Sequence, residues 1–212
     1  MSAKKTVYPV NIKADLSKPP SRALWLVKWL LLIPHAIVLA FLWVAYVVVA
    51  FIAFWAILFT AKFPKKLFNF NAGVLRWTWR VGFYGYWILG TDQYPPFSLK
   101  PSEEFPADLE IEYPEKLSRG LPFVKWLLAI PHYLVLTPLM GWGTWQAADE
   151  KSVPIISLIL ILAIIIAIVL LFTKKYNKDI FKLNTGIVRW SLRVCAYIGL
   201  MTDEYPPFVL WE

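Results

Sequence analysis

Val27-Lys28-Trp29-Leu30-Leu31-Leu32-Ile33-Pro34-His35 returns 97 residues later as Val124-Lys125-Trp126-Leu127-Leu128-Ala129-Ile130-Pro131-His132, with 8 of 9 positions identical. Two further blocks follow each copy in the same order. Asn71-Ala72-Gly73-Val74-Leu75-Arg76-Trp77-Thr78-Trp79-Arg80-Val81 returns as Asn184-Thr185-Gly186-Ile187-Val188-Arg189-Trp190-Ser191-Leu192-Arg193-Val194. Thr91-Asp92-Gln93-Tyr94-Pro95-Pro96-Phe97 returns as Thr202-Asp203-Glu204-Tyr205-Pro206-Pro207-Phe208. Three blocks in one order mean two copies of one structural unit, residues 1–100 and 101–212, and a repeat of this length constrains the fold before any single motif does.

The composition is that of a membrane protein: 58% apolar and 17% charged residues, well to the apolar side of a soluble domain. Two charge-free stretches, Trp29 to Ala61 and Ser152 to Thr173, exceed the roughly 20 apolar residues that cross a bilayer core. Met1 to Ser21 is polar, contains Pro9, Pro19 and Pro20, and lacks the apolar core of a cleavable signal peptide, so the first apolar segment is expected to target the chain itself. The single cysteine, Cys195, excludes an internal disulfide and a cysteine-based metal site; in its apolar setting it reads as packing. The net charge of +8 belongs to basic residues flanking apolar segments, which fits anionic lipid headgroups. No nucleic-acid module accompanies it.

Charge also suggests a topology. Lys4, Lys5, Lys13, Lys18 and Arg22 precede the first apolar segment, and Lys62, Lys65 and Lys66 follow it. With Lys and Arg on the cytoplasmic side, the chain enters and leaves on one face, so residues 23–61 are expected to form a helical hairpin. A long helix from His35 to Ala61, preceded by an interfacial or re-entrant helix, is the alternative, because no turn signal stands near Leu42 to Tyr46. In the second copy Leu121–Met140 and Val153–Phe172 are apolar arms around Gly141–Lys151, an expected external loop (141–152). The shared histidines are 97 residues apart but Asn71 and Asn184 are 113 apart, so the second copy holds 16 more residues between these landmarks.

A third helix is expected after each hairpin, near Leu67–Leu89 and Phe181–Leu200. Asn69, Gly73, Arg76, Arg80 and Tyr84 recur at helical spacing, and arginine with tryptophan on an amphipathic helix suits the membrane interface. Arg76, Arg80, Arg189, Arg193, Lys28, Lys125, Trp77 and Trp190 are therefore expected at lipid headgroups, with packing across the hairpin as the plainer reading. Val7–Ile12 and Leu109–Tyr113 alternate like strands, and Phe97–Leu99 and Phe208–Trp211 are further short runs. Four strands are expected to form one small cytoplasmic sheet joining the copies, since a lone hairpin is marginal.

The polar residues inside these segments are few. His35 and His132 are the only histidines; brought together they would ligate a haem, a pigment or a metal ion, whereas a histidine after a proline also serves to satisfy a kink. Lys28 and Lys125 stand seven residues before them, a costly place for charge, where snorkelling to headgroups or local pairing competes with a transport site. Asp92 and Asp203, in blocks completed by Tyr94, Pro95, Pro96 and Tyr205, Pro206, Pro207, read as structural: a capped turn, or a partner for Arg80 and Arg193 or for the recurring lysines. No nucleophile–base set, phosphate loop or metal-ligand spacing occurs.

The three blocks together resemble a bacterial membrane-protein family defined only as a domain of unknown function, whose members often carry the unit in tandem. The resemblance covers nearly the whole chain and implies an integral protein of the bacterial inner membrane. It transfers no activity, substrate or catalytic residue. The expected fold is mainly α and multi-pass, two tandem units of hairpin plus interfacial helix, with both termini cytoplasmic. The expected function is non-enzymatic and without cofactor: a lipid-interacting scaffold or accessory subunit, partnered by anionic lipids and by other membrane subunits or itself. A small transporter with Lys28, Lys125, His35 and His132 along a path between the units, and haem or pigment binding by the histidines, are the alternatives.

Overall fold

Between Ala36 and Phe59 the chain contains no glycine, proline, asparagine, aspartate or serine, so nothing invites a turn. In the computed structural model a single helix, α1, runs unbroken from Trp25 to Thr60. The structure describes residues 8–16, 20–141, 144–146, 152–154, 157–173 and 176–211. The first hairpin expected from charge is thus replaced by one continuous helix, which keeps every backbone hydrogen bond that a turn inside an apolar segment would break. Pro34 lies within it, and Ala61 ends it in the left-handed region (φ 57°), its N–H on the Ile57 carbonyl.

The buried positions of α1 are Lys28, His35, Leu39, Tyr46, Ala53 and Ile57, spaced by seven or four residues on one helical face. The opposite face is apolar and open: Leu30, Ile37, Val44 and Phe51 are 54%, 56%, 65% and 63% exposed. Among the described residues α1 is the one helix long and apolar enough to cross a membrane.

In the second unit a single turn of 3₁₀ helix at Leu121–Phe123 leads into α3 (Lys125–Leu128), α4 (Ile130–Met140), the strands β3 (Thr144–Gln146) and β4 (Ser152–Pro154), and α5 (Leu158–Thr173). Gly141, at φ 75°, ends α4, and β3 pairs antiparallel with β4. The second apolar arm therefore begins at Leu158 and not at Val153, which lies in the strand; the tip of the expected external loop, residues 147–151, lies outside the described residues.

The buried positions reveal how the units correspond. Lys125, His132 and Leu136 lie 97 residues after Lys28, His35 and Leu39. Ile159, Ile166 and Leu170 lie 113 residues after Tyr46, Ala53 and Ile57. The α3–α4 segment and α5 are thus the two halves of α1, and the 16 extra residues are an insertion at 142–157 that holds the β3–β4 hairpin.

Each later half docks on the other unit. Phe54 packs edge-on against Phe123 at 5.1 Å, and the Tyr46 hydroxyl donates to the Cys195 carbonyl at 3.0 Å. Reciprocally, Ala163 and Ala167 of α5 pack against Leu89, Trp25 and Tyr86. The start of each long helix therefore neighbours the later half of the other, an antiparallel pair about a pseudo-two-fold.

Helices α2 (Lys65–Tyr84) and α6 (Lys178–Ile198) pack beneath this pair and are mostly buried. The Asn177 side chain caps α6, accepting from the Asp179 and Ile180 N–H groups. Strands β1 (Val10–Ala14) and β2 (Ala107–Ile111), one from each unit, pair antiparallel with Ile12 opposite Leu109. This two-stranded sheet replaces the four strands expected. The Phe97–Leu99 and Phe208–Trp211 runs are irregular, and in the first unit the carbonyls a strand partner would need are taken: Leu99 accepts from Arg76 and Lys100 from Arg80. The marginal ribbon is held from below, because the Trp79 indole donates to the Lys13 carbonyl at 3.0 Å and Arg76 Nε to the Leu109 carbonyl at 2.8 Å.

Gly73 and Gly186 allow these irregular segments to lie flat on their helices. A Cβ on Gly73 would stand 2.7 Å from Leu99 Cβ, and one on Gly186 would strike the Leu210 carbonyl. Gly73→Ala is expected to cost roughly 1–3 kcal/mol through overpacking, read as a lowered thermal unfolding midpoint in detergent. Excising residues 142–157 and joining Gly141, changed to Val, to Leu158 is expected to fuse α4 and α5 into one helix with native helicity by circular dichroism. Loss of expression together with loss of helicity would contradict the correspondence.

Candidate functional site

The repeated blocks close onto the long helices in each unit. Lys28 and His35 are seven residues apart and share a face of α1. The chain leaves α2 through Leu89, whose φ of 57° is uncommon for a branched residue; Leu200 repeats it at 62°. This turn aims the Thr91 carbonyl at the lysine. Lys28 Nζ donates to that carbonyl at 2.6 Å, lies 3.3 Å from Asp92 Oδ1 and stands 4.5 Å over the Tyr84 ring. Lys125 repeats the arrangement with the Thr202 carbonyl at 2.7 Å, Asp203 at 2.8 Å and the Tyr197 ring at 5.0 Å. Asp92 and Asp203 also accept the backbone N–H groups of Ser21 and Ser118, which pins the segment entering each long helix.

Each histidine sits in an aromatic cage. Trp77 Nε1 donates to His35 Nδ1 at 3.0 Å, and Phe97 stacks on the ring at 4.1 Å with 12° between planes. Trp190 and Phe208 do the same to His132, at 3.0 Å and at 4.1 Å with 14°. An indole can only donate, so Nδ1 is the acceptor, the imidazole is neutral, and the proton sits on Nε2. Tyr94 and Tyr205 donate to the Leu31 and Leu128 carbonyls at 3.0 Å, beside the helical bond that Pro34 or Pro131 removes. The proline pairs Pro95-Pro96 and Pro206-Pro207 hold the extended path that carries each Tyr and Phe to its histidine.

This geometry chooses among the expected alternatives for the lysines and aspartates and moves the tryptophans and arginines inward. Lys28 and Lys125 do not snorkel; they are 1% and 2% exposed and turn inward to their aspartates. Trp77 and Trp190 are buried inside the cages and not at an open face. Asp92 and Asp203 pair with the recurring lysines and not with Arg80 or Arg193. Arg80, with no exposed side-chain surface, reaches Asp108 Oδ1 at 3.0 Å, as does Arg76 Nε, so neither presents its charge to headgroups. Arg193 is buried with its guanidinium 4.8 Å from the Tyr8 ring, and Arg189 is half-buried. The ring contacts of His35 lie wholly within its own unit and those of His132 within the other, and the Nε2 of each is buried without a hydrogen-bond partner. Among the described residues no group of three or more His, Cys, Asp or Glu could hold a metal ion.

Asp108 is the functional side chain that sequence reasoning missed. Burial pulls the Arg76 guanidinium below its ordinary pKa, while Asp108 opposes that shift. The signal was present in β2, where Asp108 is the acid on the strand that meets Arg76 and Arg80, but pairing required the register. Beside it a cleft of about 940 Å³ lies between the sheet and α2, bordered by Lys13, Lys66, Lys100, Glu103 and Glu110, with both signs of charge.

The family model described as "Domain of unknown function (DUF4389)" matches residues 22–98 and 155–209. The chain belongs to this family. The first matched segment contains the unbroken α1, and the second resumes just after β4, so the β3–β4 insertion and the half-helix before it fall between the two matches. No curated protein and no solved structure matches the chain.

Removing one partner of a buried ion pair strands the other, at a cost of roughly 3–5 kcal/mol. Asp203→Ala is expected to show a loss of that order in unfolding experiments, whereas Lys125→Met combined with Asp203→Asn is expected to recover most of it. Equal losses in single and double variants would mean that the pair contributes nothing specific.

Proposed function

We propose that this protein is a membrane-bound, non-enzymatic scaffold or accessory subunit that interacts with lipid in the bacterial inner membrane, with both termini on the cytoplasmic side. The observation that carries the reading is the division of the surface. The recurring lysines and histidines turn inward to carbonyl, carboxylate and indole partners, while α1, α4 and α5 turn apolar residues outward, Phe41, Phe59, Leu134 and Phe172 being 74%, 71%, 73% and 75% exposed. Contiguous apolar surface on this scale marks a lipid or protein contact. The basic residues at the helix ends, Arg22, Lys62, Lys65 and Lys66 in the first unit, suit anionic headgroups. A multi-pass chain and a chain sunk into one leaflet would both place these faces in lipid.

The transport alternative asks Lys28, Lys125, His35 and His132 to line a path, but both lysines are paired with an aspartate and both histidine Nδ1 atoms with a tryptophan of their own unit. Native mass spectrometry of the protein extracted in mild detergent, with an absorption spectrum of the same sample, tests the proposal. Co-purifying lipid or protein subunits are expected, with no visible band. A bare, lipid-free protein would count against the scaffold reading, and a visible band would reinstate the histidines as ligands.

A further inference from the structure

We infer that α1 and the α4–α5 pair lie in the plane of the bilayer, sunk into one leaflet, with all four of their ends against the same layer of anionic headgroups. The inference rests on the membrane reading above and fixes its geometry. Four observations carry it.

Length is the first. At 1.5 Å per residue α1 is about 54 Å long, and its open face is apolar from Leu26 to Phe59. The hydrocarbon core is about 30 Å thick. Crossing it without leaving apolar turns in water would require a tilt beyond about 50°, outside the usual range of roughly 0–40°.

Charge is the second. Arg22 precedes α1, and Lys62, Lys65 and Lys66 follow it; Lys116 and Arg119 precede α3, and Lys174, Lys175 and Lys178 follow α5. A crossing helix would place one basic flank on each side, against the usual bias of Lys and Arg to one face. A helix lying in the plane places every flank on the same side.

Symmetry is the third. The long helices run antiparallel, Trp25 packing against the cluster of Leu89, Ala163 and Ala167 and Phe54 against Phe123, which leads into α3. Two crossing helices so related would give the two units opposite orientations, which calls for opposite charge bias, yet both units carry the same bias. Antiparallel helices in the plane give a pseudo-two-fold along the membrane normal and identical flanks.

Layering is the fourth. α2 touches α1 through Trp77 and Thr78 and the sheet through Arg76 and Trp79. The sheet exposes Asn11, Lys13 and Glu110, and Glu112 just after it is exposed as well. With α1 upright these charges would stand beside hydrocarbon at bilayer depth, where each is costly. With α1 in the plane the sheet stands clear of the headgroups. Trp29 and Trp126, 59% and 60% exposed at the start of each long helix, then sit at the depth that indoles favour.

Leu30, Ile37, Val44 and Phe51 lie on the face opposite the buried stripe and span about 32 Å of helix. Each is changed to Cys in the full-length Cys195→Ala protein, spin-labelled, and reconstituted in vesicles of phosphatidylethanolamine and phosphatidylglycerol. Depth is read from collisions with oxygen against a water-soluble nickel chelate. Equal depths at all four positions, within one leaflet, are expected. A profile that deepens to the midplane and returns would overturn the in-plane geometry while leaving the membrane reading intact. Four water-accessible labels would overturn both. Ser21→Cys and Lys62→Cys, both exposed, supply the second readout: an impermeant maleimide is expected to reach both from the same side of the vesicle, and labelling from opposite sides would mean that α1 crosses.

Discussion

A lysine that cannot reach water holds each unit closed. Lys28 and Lys125 are buried on the inward face of apolar helices, where an unpaired ammonium would be untenable. The carbonyl and carboxylate that neutralise each come from the Thr-Asp step after the third helix. That requirement ties the start of each long helix to the far end of its unit. The left-handed leucine, the threonine turn and the proline-directed path to the histidine cage all follow from bringing those oxygens to the ammonium.

The second organising feature is the contact of each later half-helix with both units. Each unit's lysine and histidine halves close within the unit, while each later half also reaches the partner unit, α5 packing on α6 of its own unit as well. The sheet repeats that logic on the opposite face, since β1 and β2 come from different units and rest on both third helices, with Tyr8 reaching the Glu204 carbonyl. The two units therefore interlock on both faces. The insertion at 142–157 falls between the two halves of the second long helix, α4 and α5.

This division also separates the roles of the polar and apolar residues. Polar groups specify the interior contacts through directional bonds, and the outward surface of the long helices is left almost purely apolar. The arginines of the third helices belong to the first class: in the first unit they fasten the irregular segment and the sheet to α2, which is why an arginine–tryptophan helix that looks interfacial is largely enclosed by protein.

Much was legible in the sequence. The repeat, the third helices, the strand character near β1 and β2, the lone packed cysteine and, as one of the alternatives, the pairing of Asp92 and Asp203 with the recurring lysines were legible in which positions recur, whereas the aromatic cage around each histidine was not. Three matters were decided only by tertiary structure. Charge at the flanks could not tell a hairpin from a continuous helix, since both bring basic residues to the ends; the backbone's demand for uninterrupted hydrogen bonds chose the helix. Spacing showed that Arg76 and Arg80 share a face but not what covers that face, because Asp108 and the Leu99–Lys100 carbonyls arrive from residues distant along the chain. The sequence by itself determined which residues form each unit, as a matter of period and composition. Only the fold decided that each later half-helix would bridge the two units, because that contact depends on how two apolar surfaces fit across a pseudo-two-fold.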